Sequence, residues 1–360
     1  MNILMVLHKY GVRLDDPCCF PLGYMTISSV LKQNGHNVTI NNQNLHDAVP
    51  LEGYDAVLFT GFEDFLPLIK RDAAICRANG VKTVLGGALA TFKPEAMAQV
   101  VDTVVVGEGE DVVCRALNEH GIIQGTKPDI NALPWPDYEG FGVDEYHQRN
   151  GRKHIGVLTS RGCPFSCRFC AQTCKTQQRD VDQVMAEVES YGEVDIIFND
   201  NTFNLSKSRF IDIAGRMRRP WSAAIRVDKF DDDMAQAAKD GGCQYFVVGI
   251  ESFRQDKLDR MNKRIKVEQI TTCLDLLHKY GIRYHGNILT GLPGESTEDI
   301  LDELREIPGG YNVFPVLVQP FVGTEYKTRS ISPEDAASFK ALYADIAASR
   351  GMSMYPTQND

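Results

Sequence analysis

Ten cysteines occur among the 360 residues, and four of them fall within the stretch SRGCPFSCRFCAQTC, residues 160–174. Cys163, Cys167 and Cys170 are spaced C-x3-C-x2-C. Thiols so arranged can form disulfides, hold a structural zinc ion or ligate an iron–sulfur cluster. Disulfides need an oxidising compartment. The N-terminus, MNILMVLHKYG, reads as a buried strand without a basic leader. The expected compartment is therefore the cytoplasm, where disulfides are rare. A structural zinc site takes four ligands, usually as two separated pairs, so four cysteines on one short loop suit it poorly. A tight loop can instead wrap a [4Fe–4S] cluster by ligating successive corners. Three thiolates leave one iron open, and an open coordination site is where a metal does chemistry.

Composition is that of a globular chain large enough for two domains, with 43% hydrophobic and 24% charged residues. Net charge is −10. Residues 1–125 hold nine Lys and Arg against fourteen Asp and Glu, so each part carries −5. Neither is a basic block, which disfavours nucleic acid as a partner. No apolar run reaches the length of a membrane span. Cys76, Cys114, Cys243 and Cys273 fall singly inside helical or strand patterns and read as small core residues.

The cysteine loop must be positioned by what surrounds it. After it, strand and helix patterns alternate. DVDQVMAEVESYG is a helix with Val181, Val184, Met185, Val188 and Tyr191 on one face, and Asp180 and Gln183 stand as a capping pair. VEQITTCLDLLHKYG presents Ile270, Cys273, Leu274 and Leu277 inward, and Ser296 caps the helix that follows. Pro315 within NVFPVLVQPFVGT marks an edge strand or a bulge. Counting VLTSRG, which runs into the cysteines, six βα-type units predict a partial parallel barrel. Chemistry in such folds sits at the carboxyl ends of the strands.

The C-x3-C-x2-C spacing, with aromatic Phe169 before the last cysteine, resembles the signature of radical S-adenosylmethionine (SAM) enzymes. In that family the open iron binds SAM, and one electron releases a 5′-deoxyadenosyl radical that abstracts hydrogen from an unreactive C–H. The strand-end phrases NDNTF (199–203), RVD, GIES, LTGLPGE and PFVGT are similar to the family's barrel motifs. By resemblance Phe169, Asn201, Arg226, Glu251, Ser252 and Gly291 are SAM contacts, and Cys163, Cys167 and Cys170 ligate the cluster. DRMNKR (259–264) also matches a family loop, in which Lys263 or Arg264 would reach the SAM carboxylate. Cys174 lies outside the triad and reads as a bystander.

The first 125 residues read as five parallel βα units, a doubly wound sheet with strands NILMVLH, HNVTINN, YDAVLFTG, VKTVLGG and DTVVVGEGE. Its first helix, GYMTISSVLKQNG, should turn Ile27, Val30 and Leu31 inward and close at Gly35. No G-x-G-x-x-G follows the first strand, which argues against a dinucleotide. The arrangement resembles the cobalamin-binding domain that precedes the barrel in many radical SAM enzymes. That resemblance implies cobalamin contacts at Thr60, Gly86, Gly87, Gly107 and Glu108. The alternative is a set of plain strand-to-helix turns in an empty or substrate-binding domain. Many cobalamin domains carry Asp-x-His-x-x-Gly; here His8 and Gly11 keep the spacing, but Val6 replaces the Asp. With no acid to orient it, His8 is not expected to ligate cobalt. The roles of Cys18 and Cys19 are open.

The expected fold is thus α/β: a Rossmann-like cobalamin-binding domain (1–125), a linker (126–150) rich in Pro, Gly and Asp, a partial (β/α)6 TIM-like radical SAM barrel (151–325), and a C-terminal helix and tail (326–360). The resemblance implies the [4Fe–4S] cluster, SAM and cobalamin as cofactors. It implies C-methylation of an unactivated carbon on a small-molecule or peptide substrate, with an electron donor such as flavodoxin or ferredoxin. Cobalamin-dependent cyclisation, ring rearrangement or oxidation is the alternative chemistry. A methylthiotransferase acting on RNA would carry a second cysteine set and an RNA-binding domain. A cobalamin or redox sensor is the non-enzyme alternative.

Overall fold

The apolar runs pair into two parallel sheets. The computed structural model describes residues 1–9, 20–151, 153–172, 174–318 and 323–326. Gly11, Cys18, Cys19, part of PFVGT and the C-terminal helix expected over 332–351 lie outside the described residues. Contacts divide the chain into two units, Met1–Leu158 with Thr173–Val194, and Thr159–Gln172 with Asp195–Asp360.

The first sheet uses β1 (Asn2–Leu7), β2 (Asn37–Asn42), β3 (Ala56–Thr60), β4 (Lys82–Gly86), β5 (Thr103–Val106) and β6 (Gly121–Gln124). Its order is β2-β1-β3-β4-β5-β6, parallel throughout. The order reverses between β1 and β3, and ligands of such sheets bind beyond the carboxyl ends at that switch. Between the strands run α1 (Leu22–Gln33), α2 (Leu66–Ala78), α3 (Ala88–Phe92), α4 (Pro94–Met97) and α5 (Val113–Ala116). Leu4, Val57, Phe59, Ile69, Cys76, Leu85 and Val104 form the core beneath α2. Strand β6 is a difference from the five-strand expectation: GIIQ is too short to show a period. Helix α1 is turned from its expected face. Met25, Ser28 and Leu31 are buried in it, while Ile27 and Val30 are half-buried. Ser28 can be buried because its hydroxyl donates to Asp137 Oδ2 at 2.5 Å. That bond also draws part of the expected linker onto α1, and α6 (Val143–Asn150) follows.

The second sheet begins with β7 (His154–Val157). Short strands β8 (Ser160–Arg161) and β9 (Gln177–Gln178) flank the cysteine loop in sequence, followed by α7 (Val181–Ser190). Then come β10 (Asp195–Phe198), α8 (Lys207–Arg216), β11 (Trp221–Arg226), α9 (Asp232–Asp240), β12 (Cys243–Glu251), α10 (Gln255–Arg260), α11 (Val267–Tyr280), β13 (Arg283–Thr290), α12 (Thr297–Glu306) and β14 (Val313–Leu317). The order is β14-β13-β12-β11-β10-β7. Pro315 sits in β14, at the edge, where a missing N–H costs no ladder bond. Ile270, Cys273, Leu274 and Leu277 of α11 are fully buried, and Ser296 caps α12 by accepting from Asp299 N–H. Asp180 occupies the N-cap of α7, but its side chain makes no capping bond.

Aromatic rings build the core under this sheet. Phe198 stacks on Phe203 with centroids 4.7 Å apart, and Phe210, Trp221 and Phe246 pack around them. Each such pair contributes about 0.5–1.5 kcal/mol beyond its buried area. Phe203 belongs to NDNTF, so the core clamps the segment that reaches the cysteines.

Candidate active site

The segment Asp200–Asn204 ties the cysteine loop to β11. Asp200 is buried and accepts from Thr159 N–H (2.7 Å), Ser160 N–H (3.1 Å) and both hydroxyls (2.5 and 2.7 Å). It thereby holds the two residues from which the cysteine loop departs. Burial raises the Asp200 carboxyl above its ordinary range, against those bonds. Thr202 Oγ1 lies 3.6 Å from Cys163 Sγ. Asn204 brackets the end of β11, donating to Arg226 O and accepting from Arg226 N–H, both at 2.9 Å. Asn201 is exposed beside them.

Cys163, Cys167 and Cys170 are free thiols; the first two are half-buried and the third is exposed. Among the described residues, no three His, Cys, Asp or Glu side chains converge as ligands of a single metal ion. A four-iron cube is wider than an ion and takes thiolates from further apart. Arg226 stands over the Phe165 ring, 3.6 Å from its centroid, with Nη1 at 4.0 Å from Cys167 Sγ. Burial pushes the Cys167 thiol up, while Lys263 and Arg226 pull it back. These thiols and neighbouring cations are the donor chemistry that an iron–sulfur cluster requires.

At the end of β12 the ladder to β13 shifts register between Val248 and Glu251, and Glu251 turns left-handed at φ 69°. A non-glycine residue there stores strain that the surroundings must hold. Here the hold is an ion pair: Glu251 Oε1 meets Lys263 Nζ at 2.7 Å, both groups buried. Gly249 leaves room for it, since a Cβ there would lie 2.9 Å from Lys263 Nζ. Lys263 also lies 5.7 Å from the Phe169 ring centroid. Asn262, left-handed at φ 52°, donates to Ser166 O at 2.7 Å and so fastens this turn to the cysteine loop.

Ser252 is fully buried and donates to Glu303 rather than facing outward. Glu303 also accepts from Phe253 N–H at 3.2 Å. Gly291, at φ 77°, donates its N–H to Glu295 Oε2 at 2.7 Å. Lys257 joins the two carboxylates, with Nζ at 2.5 Å from Glu295 and 2.6 Å from Glu303. Arg226, Glu251 and Phe169 therefore gather around the cysteines and Lys263. Ser252 and Gly291 share the Lys257 network. Sequence reasoning missed Asp200, Asn204, Gly249 and Lys257. Asp200 and Asn204 lie in or beside NDNTF, which was the available signal; Lys257 left none.

In the first unit, Thr60 and Gly86 are register partners at the ends of β3 and β4. Gly87 is left-handed at φ 83°, and a Cβ on it would lie 2.6 Å from Thr60 Oγ1. Thr91 donates to Gly87 O at 2.9 Å and accepts from Gly107 N–H at 3.0 Å, joining the fourth and fifth strand ends; Glu108 follows directly. A Cβ on Gly86 or Gly107 would meet nothing within 4 Å. Among the described residues, the strand ends thus leave open space over Gly86 and Gly107, beside the Thr60 and Thr91 hydroxyls. His8 is oriented after all. Its Nε2 lies 2.8 Å from Asp72 Oδ2 of α2, and its ring stacks between Phe59 and Phe65. The acid absent at position 6 is supplied by a helix, yet the His8 side chain is wholly buried.

Comparison with known proteins agrees with both halves. Residues 157–307 match the radical SAM superfamily and residues 15–117 the B12 binding domain. The chain carries a B12-binding domain followed by a radical SAM domain. The cofactors of these two domains are a [4Fe–4S] cluster with SAM, and cobalamin. The chain is 31% identical over 260 residues to an uncharacterised methyltransferase of Pyrococcus horikoshii, covering 62% of the chain and 56% of that protein. It is 26% identical to bacteriochlorophyllide d C-8(2)-methyltransferase of Chlorobaculum tepidum, over 93% of the chain and 83% of that protein. Other relatives are a cyclase and a putative methylthiotransferase. The radical SAM methyltransferase TsrM of Kitasatospora setae, solved with cobalamin and a [4Fe–4S] cluster bound, shares the fold at TM-score 0.69 and 17% identity, over 91% of the chain and 74% of that one. Among the described residues no helix is long and apolar enough to cross a membrane.

Proposed function

We propose that this enzyme methylates an unactivated carbon of a small molecule, drawing electrons from a flavodoxin- or ferredoxin-type donor. The observation that carries the reading is similarity to a carbon methyltransferase along 93% of the chain, across both cofactor domains. When bound, the cluster and SAM supply a carbon radical, and cobalamin carries the methyl group. The chain's own work is to hold, orient and exclude water. Cys163, Cys167 and Cys170 would hold the cluster and leave it one open coordination site for SAM. Phe169, Asn201 and Glu251 line the SAM side. Ser252 and Gly291 act through the strand-end backbone that Glu303 and Glu295 hold. Thr60, Gly86, Gly87, Gly107 and Glu108 form the seat for cobalamin.

Cyclisation is the second reading, favoured by the cyclase similarity over 64% of the chain. Incubation with methyl-deuterated SAM, a reductant and a metabolite extract separates the two. Methylation should give S-adenosylhomocysteine, 5′-deoxyadenosine and a product in which CD3 replaces one hydrogen of its precursor. Release of 5′-deoxyadenosine with no S-adenosylhomocysteine would instead point to cyclisation.

A further inference from the structure

Arg226 is expected by resemblance at the SAM contact, but its guanidinium is already engaged by the protein. It is 4% exposed. Nε donates to Asp228 Oδ1 at 2.9 Å, and Nη2 donates to Lys263 O at 2.9 Å. The planar face lies on Phe165, 3.6 Å from the ring centroid. Nη1 points at Cys167 Sγ, at 4.0 Å. A bidentate grip on a ligand carboxylate needs two adjacent N–H groups directed the same way. Asp228 and the Lys263 carbonyl hold two edges of the fork, so what remains faces sulfur. Asn204 fixes the backbone from which Arg226 springs, through paired 2.9 Å bonds.

We infer that Arg226 is a positioning residue of the cysteine loop which sets the reduction potential of the cluster, rather than a ligand of SAM. The inference rests on the proposed assignment of Cys163, Cys167 and Cys170 as cluster ligands. Reduction adds one electron from an external donor and so adds negative charge. A buried cation aimed at a ligating sulfur stabilises the reduced form and raises the potential. Lys263, on the same side, is paired with Glu251 at 2.7 Å, as Arg226 is with Asp228 at 2.9 Å; Arg226 differs in aiming its remaining N–H edge at Cys167 Sγ. Phe165 shields Arg226 from solvent, which keeps its field on the loop weakly screened.

The test is an EPR-monitored redox titration of the reconstituted protein without SAM, for wild type, Arg226→Gln and Arg226→Lys. At the wild-type midpoint, the reduced-to-oxidised ratio in Arg226→Gln should fall about tenfold, about 59 mV more negative for a one-electron couple. Arg226→Lys, which keeps the charge, should stay within about twofold of wild type. SAM affinity, measured by equilibrium dialysis against the oxidised protein, should change little in either. An unchanged midpoint in Arg226→Gln with full iron content would overturn the inference, and a loss of SAM binding alongside it would return Arg226 to SAM. Should Arg226→Gln shed its iron, Arg226→Lys decides: full iron supports the charge role, and iron loss there too overturns it. A wild-type protein that binds no four-iron cluster would sink the assignment of the cysteines themselves.

Discussion

Single residues at both candidate cofactor seats are held by partners distant in sequence. Asp72 shows the energetics most clearly. Burial alone would raise its carboxyl, but hydrogen bonds from His8 and Arg71 outweigh it and hold the group below the ordinary 3.8. A carboxyl depressed on folding contributes stability above its unfolded value and loses it as pH falls through the folded one. The B12-binding half should therefore lose stability below about pH 4, and Asp72→Asn should flatten that acid limb in thermal melts. His8→Gln should leave the visible bands of bound cobalamin where they are, because the ring is buried and its Nε2 is held by Asp72. A band shift in that variant would make His8 a ligand. At the other seat, Cys163→Ala, Cys167→Ala or Cys170→Ala should each abolish 5′-deoxyadenosine formation; product from any of them would remove that residue from the cluster.

Between elements, two buried polar clamps set the strand ends. Lys257 of α10 carries two buried carboxylates, one holding the loop after β13 and the other the turn after β12. Lys257→Met leaves both uncompensated and should cost about 3–5 kcal/mol. Pairing it with Glu303→Gln should recover part of that loss in chemical denaturation, and full additivity would mean that the clamp does not act as a unit. Asp200→Asn loosens the other clamp, at about 1–3 kcal/mol, and should lower iron retention without changing cobalt content. Elements of strong period were legible in advance: the buried faces of α11 and α7, the Ser296 cap and the edge position of Pro315. Helices α3 and α10 and strand β6 are too short for a period to show, and they depend on tertiary contacts. The clamps were illegible for the same reason. Lys257 and Glu303 read as surface charges until the fold buries them 46 residues apart.

At the scale of the molecule, one chain carries a parallel sheet of order β2-β1-β3-β4-β5-β6 with glycine-rich strand ends and a second six-stranded parallel sheet whose first loop carries the C-x3-C-x2-C thiols. The cysteine spacing made the second half readable from sequence, because few other chemistries use it. The first half was readable as a sheet but less so as a site: glycine is common at any strand-to-helix turn, and only the fold shows the open space over Gly86 and Gly107. The chain spans 56% of the Pyrococcus horikoshii relative, so substrate choice is to be sought by experiment on the whole protein. The most direct test of the account is metal content. Reconstituted anaerobically with iron, sulfide and hydroxocobalamin and then desalted, the protein should hold four irons and one cobalt per chain. Four irons without cobalt would contradict cobalamin-dependent methylation, and cobalt without iron would contradict radical chemistry at the cysteine loop.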